Sequence, residues 1–172
     1  RVEHALGLFK DIIAAGNEGS GQRTCGNPSL AKNILTIGAT ERGTASNTIA
    51  DFSSRGPSQD NRIKPNVMAP GVDIMSAQKS GQNGYSAMSG TSMATPTANG
   101  TVGLMRCYLQ EGYYPTGSPV QGNRVSYISS ALMRSMAMAS ATSATTKSAW
   151  FNSSNLSPRE STCQSTTRAL RE

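Results

Sequence analysis

The sequence predicts an α/β fold, three layers with a mainly parallel sheet between helices. Two short apolar runs and one long apolar stripe at helical spacing carry that expectation. The runs are Asp11-Ile12-Ile13-Ala14-Ala15 and Asn33-Ile34-Leu35-Thr36-Ile37-Gly38. Neither alternates with polar residues, as strands buried on both faces of a parallel sheet do not. The stripe is Ala94, Ala98, Val102, Met105 and Leu109, within a helix expected over residues 93–109. Strands alternating with helices define the class.

The elements follow in order. Residues 1–10 read as the end of an amphipathic helix leading into the first strand. A Gly/Ser/Asn/Pro-rich loop at 16–29 separates the two strands, and residues 53–71 are dense in turn formers, including Ser53-Ser54-Arg55-Gly56-Pro57 and Pro70-Gly71. A short strand is expected over 72–76, then a loop through Gly81 and Gly84 to Tyr85-Ser86-Ala87-Met88. Pro96 sits near the start of the long helix, where early N–H groups lack partners and proline costs least. A second helix is expected over 126–139, from Ile128, Ala131, Leu132, Ser135, Met136 and Ala139. Residues 1–140 therefore read as the folded part. From 141 to 172 the Ser/Thr-rich composition reads as a tail or linker.

Composition excludes several classes of function. No apolar run approaches the roughly 18–20 residues that span a bilayer. The net charge is +6, but the basic residues stand singly and without interleaved aromatics, so no nucleic-acid partner is expected. Cys25, Cys107 and Cys163 lie far apart and His4 is the one histidine, so no metal site is expected. The odd cysteine count leaves at least one thiol free or paired to another molecule.

The chemistry lies in Ser89-Gly90-Thr91-Ser92-Met93-Ala94-Thr95-Pro96. A serine where a loop turns into a buried helix meets free N–H groups and the positive end of the helix, both suited to negative charge. Gly90 removes a side chain that would obstruct approach to Ser92. The string resembles the nucleophile motif of the subtilisin-like serine peptidases, the subtilases. A second segment, Ala14-Ala15-Gly16-Asn17-Glu18-Gly19, resembles that family's A-A-G-N-x-G block, and residues 31–39, 52–57 and 64–71 agree in order. The resemblance covers about residues 8–140 and is nearest to subtilases whose peptidase domain precedes a β-sandwich. Asn66 departs from it, standing where members often carry Asp, as do Thr97 and Asn99 after the proline.

The resemblance implies a subtilisin-like fold and a serine endopeptidase working through an acyl-enzyme on peptide or protein substrates. It makes Ser92 the nucleophile and Asn17 the oxyanion-hole donor. Ala14, Ala15, Gly16 and Gly90 would edge the substrate site, and Thr91 would support the oxyanion hole from behind the nucleophile. It implies no cofactor beyond calcium, which is common in the family but cannot be placed on these residues. It also favours a secretory location.

The family's triad runs Asp, His, Ser along the chain, and neither of its first two motifs occurs in this sequence. His4 stands in a segment resembling the helix before the oxyanion strand, so it reads as an ordinary helix or surface histidine. Asp11, Asp51, Asp60 and Asp73 have no triad context either. The chain thus reads as the C-terminal half of a peptidase domain, its partner being the missing N-terminal half. Alone it is expected to be inactive and prone to aggregate through uncovered strand edges. The alternative is a truncated, non-catalytic relative that binds peptides or does nothing. Two S-x-x-K matches, Ser29-Leu30-Ala31-Lys32 and Ser76-Ala77-Gln78-Lys79, lack the K-T-G element of penicillin-binding enzymes and read as chance. Asn99, Asn152 and Asn155 open glycosylation sequons, the first inside the long helix.

Overall fold

The first two apolar runs form adjacent strands of one sheet in the computed structural model, which describes residues 12–79, 83–125, 128 and 130–142. β1 is Ile12–Ala14, β2 Leu35–Thr40 and β3 Val67–Pro70. They lie in the order β1-β2-β3, with both pairings parallel. Ile12 faces Leu35, and Ile37 faces both Ala14 and Val67. All six residues of β2 are buried. A strand covered on both faces cannot carry polar alternation, and this is why the run reads as continuous.

β3 lies inside the stretch that the sequence marks as turns. Its flanks, Pro65 and Gly71, are turn formers, and Pro70 ends the strand. Four residues between such flanks are too few to show a period. β4, Ile74–Ala77, pairs antiparallel with β5, Tyr85–Met88, as a separate hairpin. β5 falls where only the end of a loop is expected, because Tyr85 and Met88 are exposed and leave no buried pattern to read.

The long helix, α1, is Thr91–Gln110, two residues earlier in its start than the stripe indicates. Its buried residues are Thr91 and all five of the stripe, and it packs on all three strands of the sheet. Pro96 falls in the second turn, and Thr95 and Thr97 donate their hydroxyls to the carbonyls of Thr91 and Met93. α2, Ser130–Thr142, packs against α1 and β3 through Met133, Met136 and Ala137. It starts four residues later than the sequence reading and continues to Thr142, past the point where the tail is expected. Ile128 precedes it and packs against the core. The expected helix at 1–10 and the tail beyond 142 lie outside the described residues.

The junction of sheet and helix is held at Gly71. Its N–H donates to Thr40 O at 2.9 Å, and its carbonyl accepts from Gly90 N–H at 2.8 Å. A methyl group on Gly71 would stand 2.7 Å from Gly90 O and 2.8 Å from the Ala39 methyl. The strand thus passes the helix start at backbone contact.

A second fixture closes the other end of β2. Lys64 is buried, and its ammonium shares its three N–H donors among Ala31 O at 3.1 Å, Ile34 O at 3.0 Å, Thr36 Oγ1 at 2.8 Å and Asn66 Oδ1 at 3.0 Å. Asn66 Oδ1 also accepts the Thr36 N–H, so one amide joins β2, the start of β3 and the cation. Among the described residues, no carboxylate contacts Nζ. Burial, with the Arg62 and Arg134 guanidinia nearby, lowers the lysine from 10.5 to about 8.

Gly71→Ala should destabilise the protein by about 1–3 kcal/mol, the usual range for overpacking, as a shift in the denaturant midpoint. Lys64 gives a pH signature. Between about 8 and 10.5 the unfolded chain binds the lysine proton and the folded chain does not, so stability rises with pH across that window. The contribution is full above 10.5 and is lost as pH falls through about 8. Asn66→Asp supplies a counter-charge and should flatten that rise. It should also raise stability at pH 7 by on the order of 1 kcal/mol in thermal melts.

Candidate active site

The loop after β1 and the start of α1 meet side chain to backbone. Asn17 follows β1 and points its carbonyl at the helix start. Asn17 Oδ1 accepts from Thr91 N–H at 2.9 Å and from Thr91 Oγ1 at 2.9 Å. Thr91 Oγ1 in turn accepts from Gly16 N–H at 3.2 Å. A helix start normally takes its cap from the preceding residue, but Gly90 has no side chain. The cap instead comes from a residue 74 positions earlier in the chain.

That choice of atoms fixes which end of the amide is left over. With Oδ1 committed to two donors on Thr91, Nδ2 is the free end. A Cβ placed on Gly90 would lie 3.4 Å from Asn17 Nδ2 and 3.1 Å from Ser92 Oγ. One point beside the Gly90 backbone is therefore within reach of both the hydroxyl and the amide donor, and glycine keeps it open. Met93 and Ala94 send their first-turn N–H groups to Gly90 O at 3.0 and 3.2 Å. The Ser92 N–H has no partner among the described residues. It stands on the same turn as the exposed hydroxyl.

The approach loop is shaped by Gly16, whose φ of +111° is a conformation that side-chain-bearing residues rarely adopt. Ala15 is buried and bonded through its N–H to Ile37 O at 2.8 Å, and Ala14 and Gly16 are half-buried. The structure thus brings together Asn17, Gly16, Gly90, Thr91 and Ser92, with Ala14 ending β1 and Ala15 directly after it. Ser54, absent from the sequence-based candidates, also meets this loop: it accepts the Glu18 N–H at 3.0 Å and donates its own N–H to Gly16 O at 3.0 Å. Its block, 53–57, stands out in the sequence as turn residues, but nothing there shows what its hydroxyl reaches.

Activation of Ser92 is not built from the described residues. The hydroxyl contacts Met93 Sδ at 3.4 Å, a weak acceptor. Asp60 is bonded to Arg62 and Ser58, which hold its carboxyl well below the usual carboxylate range. Asp73 takes the Ser89 hydroxyl as a partner for its N–H at 2.9 Å, and Asp51 is exposed. His4 and Asp11 lie outside the described residues. Among those described, no three His, Cys, Asp or Glu side chains cluster as a metal site, and no helix is long and apolar enough to cross a membrane. Cys25 is a free, buried thiol; burial raises its pKa, and the Lys64 charge opposes that rise.

The family model described as the Subtilase family matches residues 9–160. Serine protease AprX of Bacillus subtilis is 41% identical over 109 residues, covering 54% of this chain and 25% of that protein. Pyrolysin of Pyrococcus furiosus is 39% identical over 118 residues, covering 55% of this chain and 8% of that protein. Among solved structures, Sphericase superposes with a TM-score of 0.51 at 28% identity, over 75% of this chain and 39% of that one. The chain spans a quarter or less of the length of these two sequence relatives. Its parallel sheet, its helix-borne serine and the match over most of its length lead to one conclusion: the chain belongs to the subtilase family of serine peptidases.

Proposed function

We propose that this chain supplies the nucleophile and the oxyanion hole of a serine endopeptidase, with the acid and base coming from other residues of the same peptidase domain. The observation that carries the reading is the orientation of the Asn17 amide. Its carbonyl is held by Thr91 and its donor end faces the space beside Ser92.

In the reaction, Ser92 Oγ attacks the carbonyl carbon of the scissile peptide bond while its proton passes to a base. The carbonyl oxygen becomes an oxyanion, which Asn17 Nδ2 and the Ser92 N–H receive as donors. Both donors are fixed before charge develops, so no reorganisation is needed in the transition state. Collapse expels the amine, which takes the proton, and leaves an ester on Ser92. Water then attacks that ester, and the carboxylic acid departs as the serine recovers its proton.

Gly16, with its unusual backbone, and Gly90, kept open beside Ser92, would let substrate backbone approach closely. Ala14 and Ala15 would edge the pocket for the side chain before the cleaved bond, presenting mainly backbone because Ala15 is buried. The motifs for Asp and His are absent from the sequence, and Ser92 Oγ meets only a sulfur among described residues. The 172-residue chain alone should therefore hydrolyse peptides at no more than a residual enhancement of about 10³–10⁴ over water.

Serine-directed fluorophosphonate labelling of the intact peptidase containing this chain tests the assignment. The phosphonyl group should be found on Ser92 and be absent in Ser92→Ala. Loss of the oxyanion-hole asparagine costs about 10²–10³ in kcat in subtilisin, and Asn17→Ala should lower peptide turnover on that scale with KM little changed. Modification of another residue would overturn the assignment. No labelling at all would leave the chain as a non-catalytic member of the family.

A further inference from the structure

We propose that Ser54 is a positioning residue for the oxyanion hole, setting the backbone that carries Asn17. Ser54 is fully buried, at 0% exposure. It grips the Asn17 segment on both sides. Its N–H donates to the carbonyl of Gly16, and its Oγ accepts the N–H of Glu18, each at 3.0 Å. Asn17 is the residue between. A Cβ on Gly16 would stand 2.9 Å from Ser54 Oγ, so the hydroxyl also fills the space that the glycine leaves.

The division of labour is then visible. Thr91 orients the Asn17 side chain through Oδ1, and Ser54 fixes the main chain from which that side chain projects. Neither fixture suffices alone. A side chain tied only at its carbonyl can still swing Nδ2 if the backbone at 16–18 rotates. A displacement of about 1 Å in a positioning group can cost on the order of 10²-fold in rate.

The neighbouring Ser53 provides a control. It is equally buried, yet its hydroxyl accepts the N–H of Ala39 in β2 at 3.0 Å and makes no bond to the 16–18 loop. Ser53 satisfies a buried backbone N–H and Ser54 a part-buried one, so removal of either hydroxyl should lower the melting temperature. Only Ser54 should act on Asn17.

The kinetic arm rests on the peptidase function proposed above. In the intact peptidase containing this chain, Ser54→Ala should lower kcat roughly tenfold with KM within about twofold. In an Asn17→Ala background the same substitution should have no further effect on kcat, since the donor it positions is gone. Ser53→Ala should lower the melting temperature and leave kcat within about twofold. An equal loss of kcat in both backgrounds, or the same loss from Ser53→Ala, would overturn the proposal.

If the protein shows no turnover dependent on Ser92, the peptidase reading fails and amide exchange judges Ser54 by itself. The Thr91 N–H is protected by Asn17 Oδ1. Its exchange should quicken roughly tenfold in Ser54→Ala and stay unchanged in Ser53→Ala. Unchanged Thr91 exchange in Ser54→Ala would overturn the proposal whatever the activity.

Discussion

The hydrogen bonds from Thr91 to Asn17 Oδ1 are the constraint on which the site depends. They join a loop that follows β1 to the first turn of α1, segments separated by 74 residues in the chain. The bond supplies a cap to a helix whose own N-cap residue is glycine, and it sets the direction of the amide. Two demands compete at position 90: a capping side chain for the helix and an open approach to Ser92. The structure gives the position to glycine and brings the cap from elsewhere. Local helix stability thus becomes dependent on the same long-range contact that builds the donor.

The sheet places the two segments close enough for this to happen. β1 and β3 flank β2 in parallel, so the chain leaves β1 and β3 at the same end of the sheet, on the side where α1 begins. Gly71 then brings the end of β3 to backbone contact with Gly90. At the opposite end of β2, Lys64 gathers four oxygens around an ammonium and joins the entry loop of β2 to the start of β3. The cation is part of the chain itself. Its position relative to Thr36 and Asn66 is therefore fixed by covalent connection as well as by hydrogen bonds.

Much of this was legible in the residues, but unevenly. β1, β2 and α1 could be read because burial writes a pattern: continuous apolar runs for covered strands and a three-four stripe for the helix. β3 and the β4–β5 hairpin could not. Val67–Pro70 is short and bounded by prolines and glycine, and Met75, Tyr85 and Met88 are exposed apolar residues in the hairpin. Ser92 and Asn17 were marked as candidates by the resemblance of two contiguous strings to a known family. Ser54 was not, because the backbone N–H its hydroxyl meets lies 36 residues away, and a hydroxyl gives no sign in sequence of what it will accept. The Lys64 cage was hidden for the same reason: two of its four oxygens are main-chain carbonyls, which every residue possesses.

The double acceptance at Asn17 Oδ1 has an electronic consequence. An amide shares its nitrogen lone pair with its carbonyl. Two donors on the oxygen, one a backbone N–H and one a hydroxyl, draw that sharing toward the charge-separated form. Electron density leaves Nδ2, and its protons become more positive and better able to hold an anion. Thr91 also accepts the Gly16 N–H, so its own hydroxyl is polarised in turn. The asparagine is thus tuned as well as aimed, because the threonine at the helix start makes its Nδ2 the stronger donor.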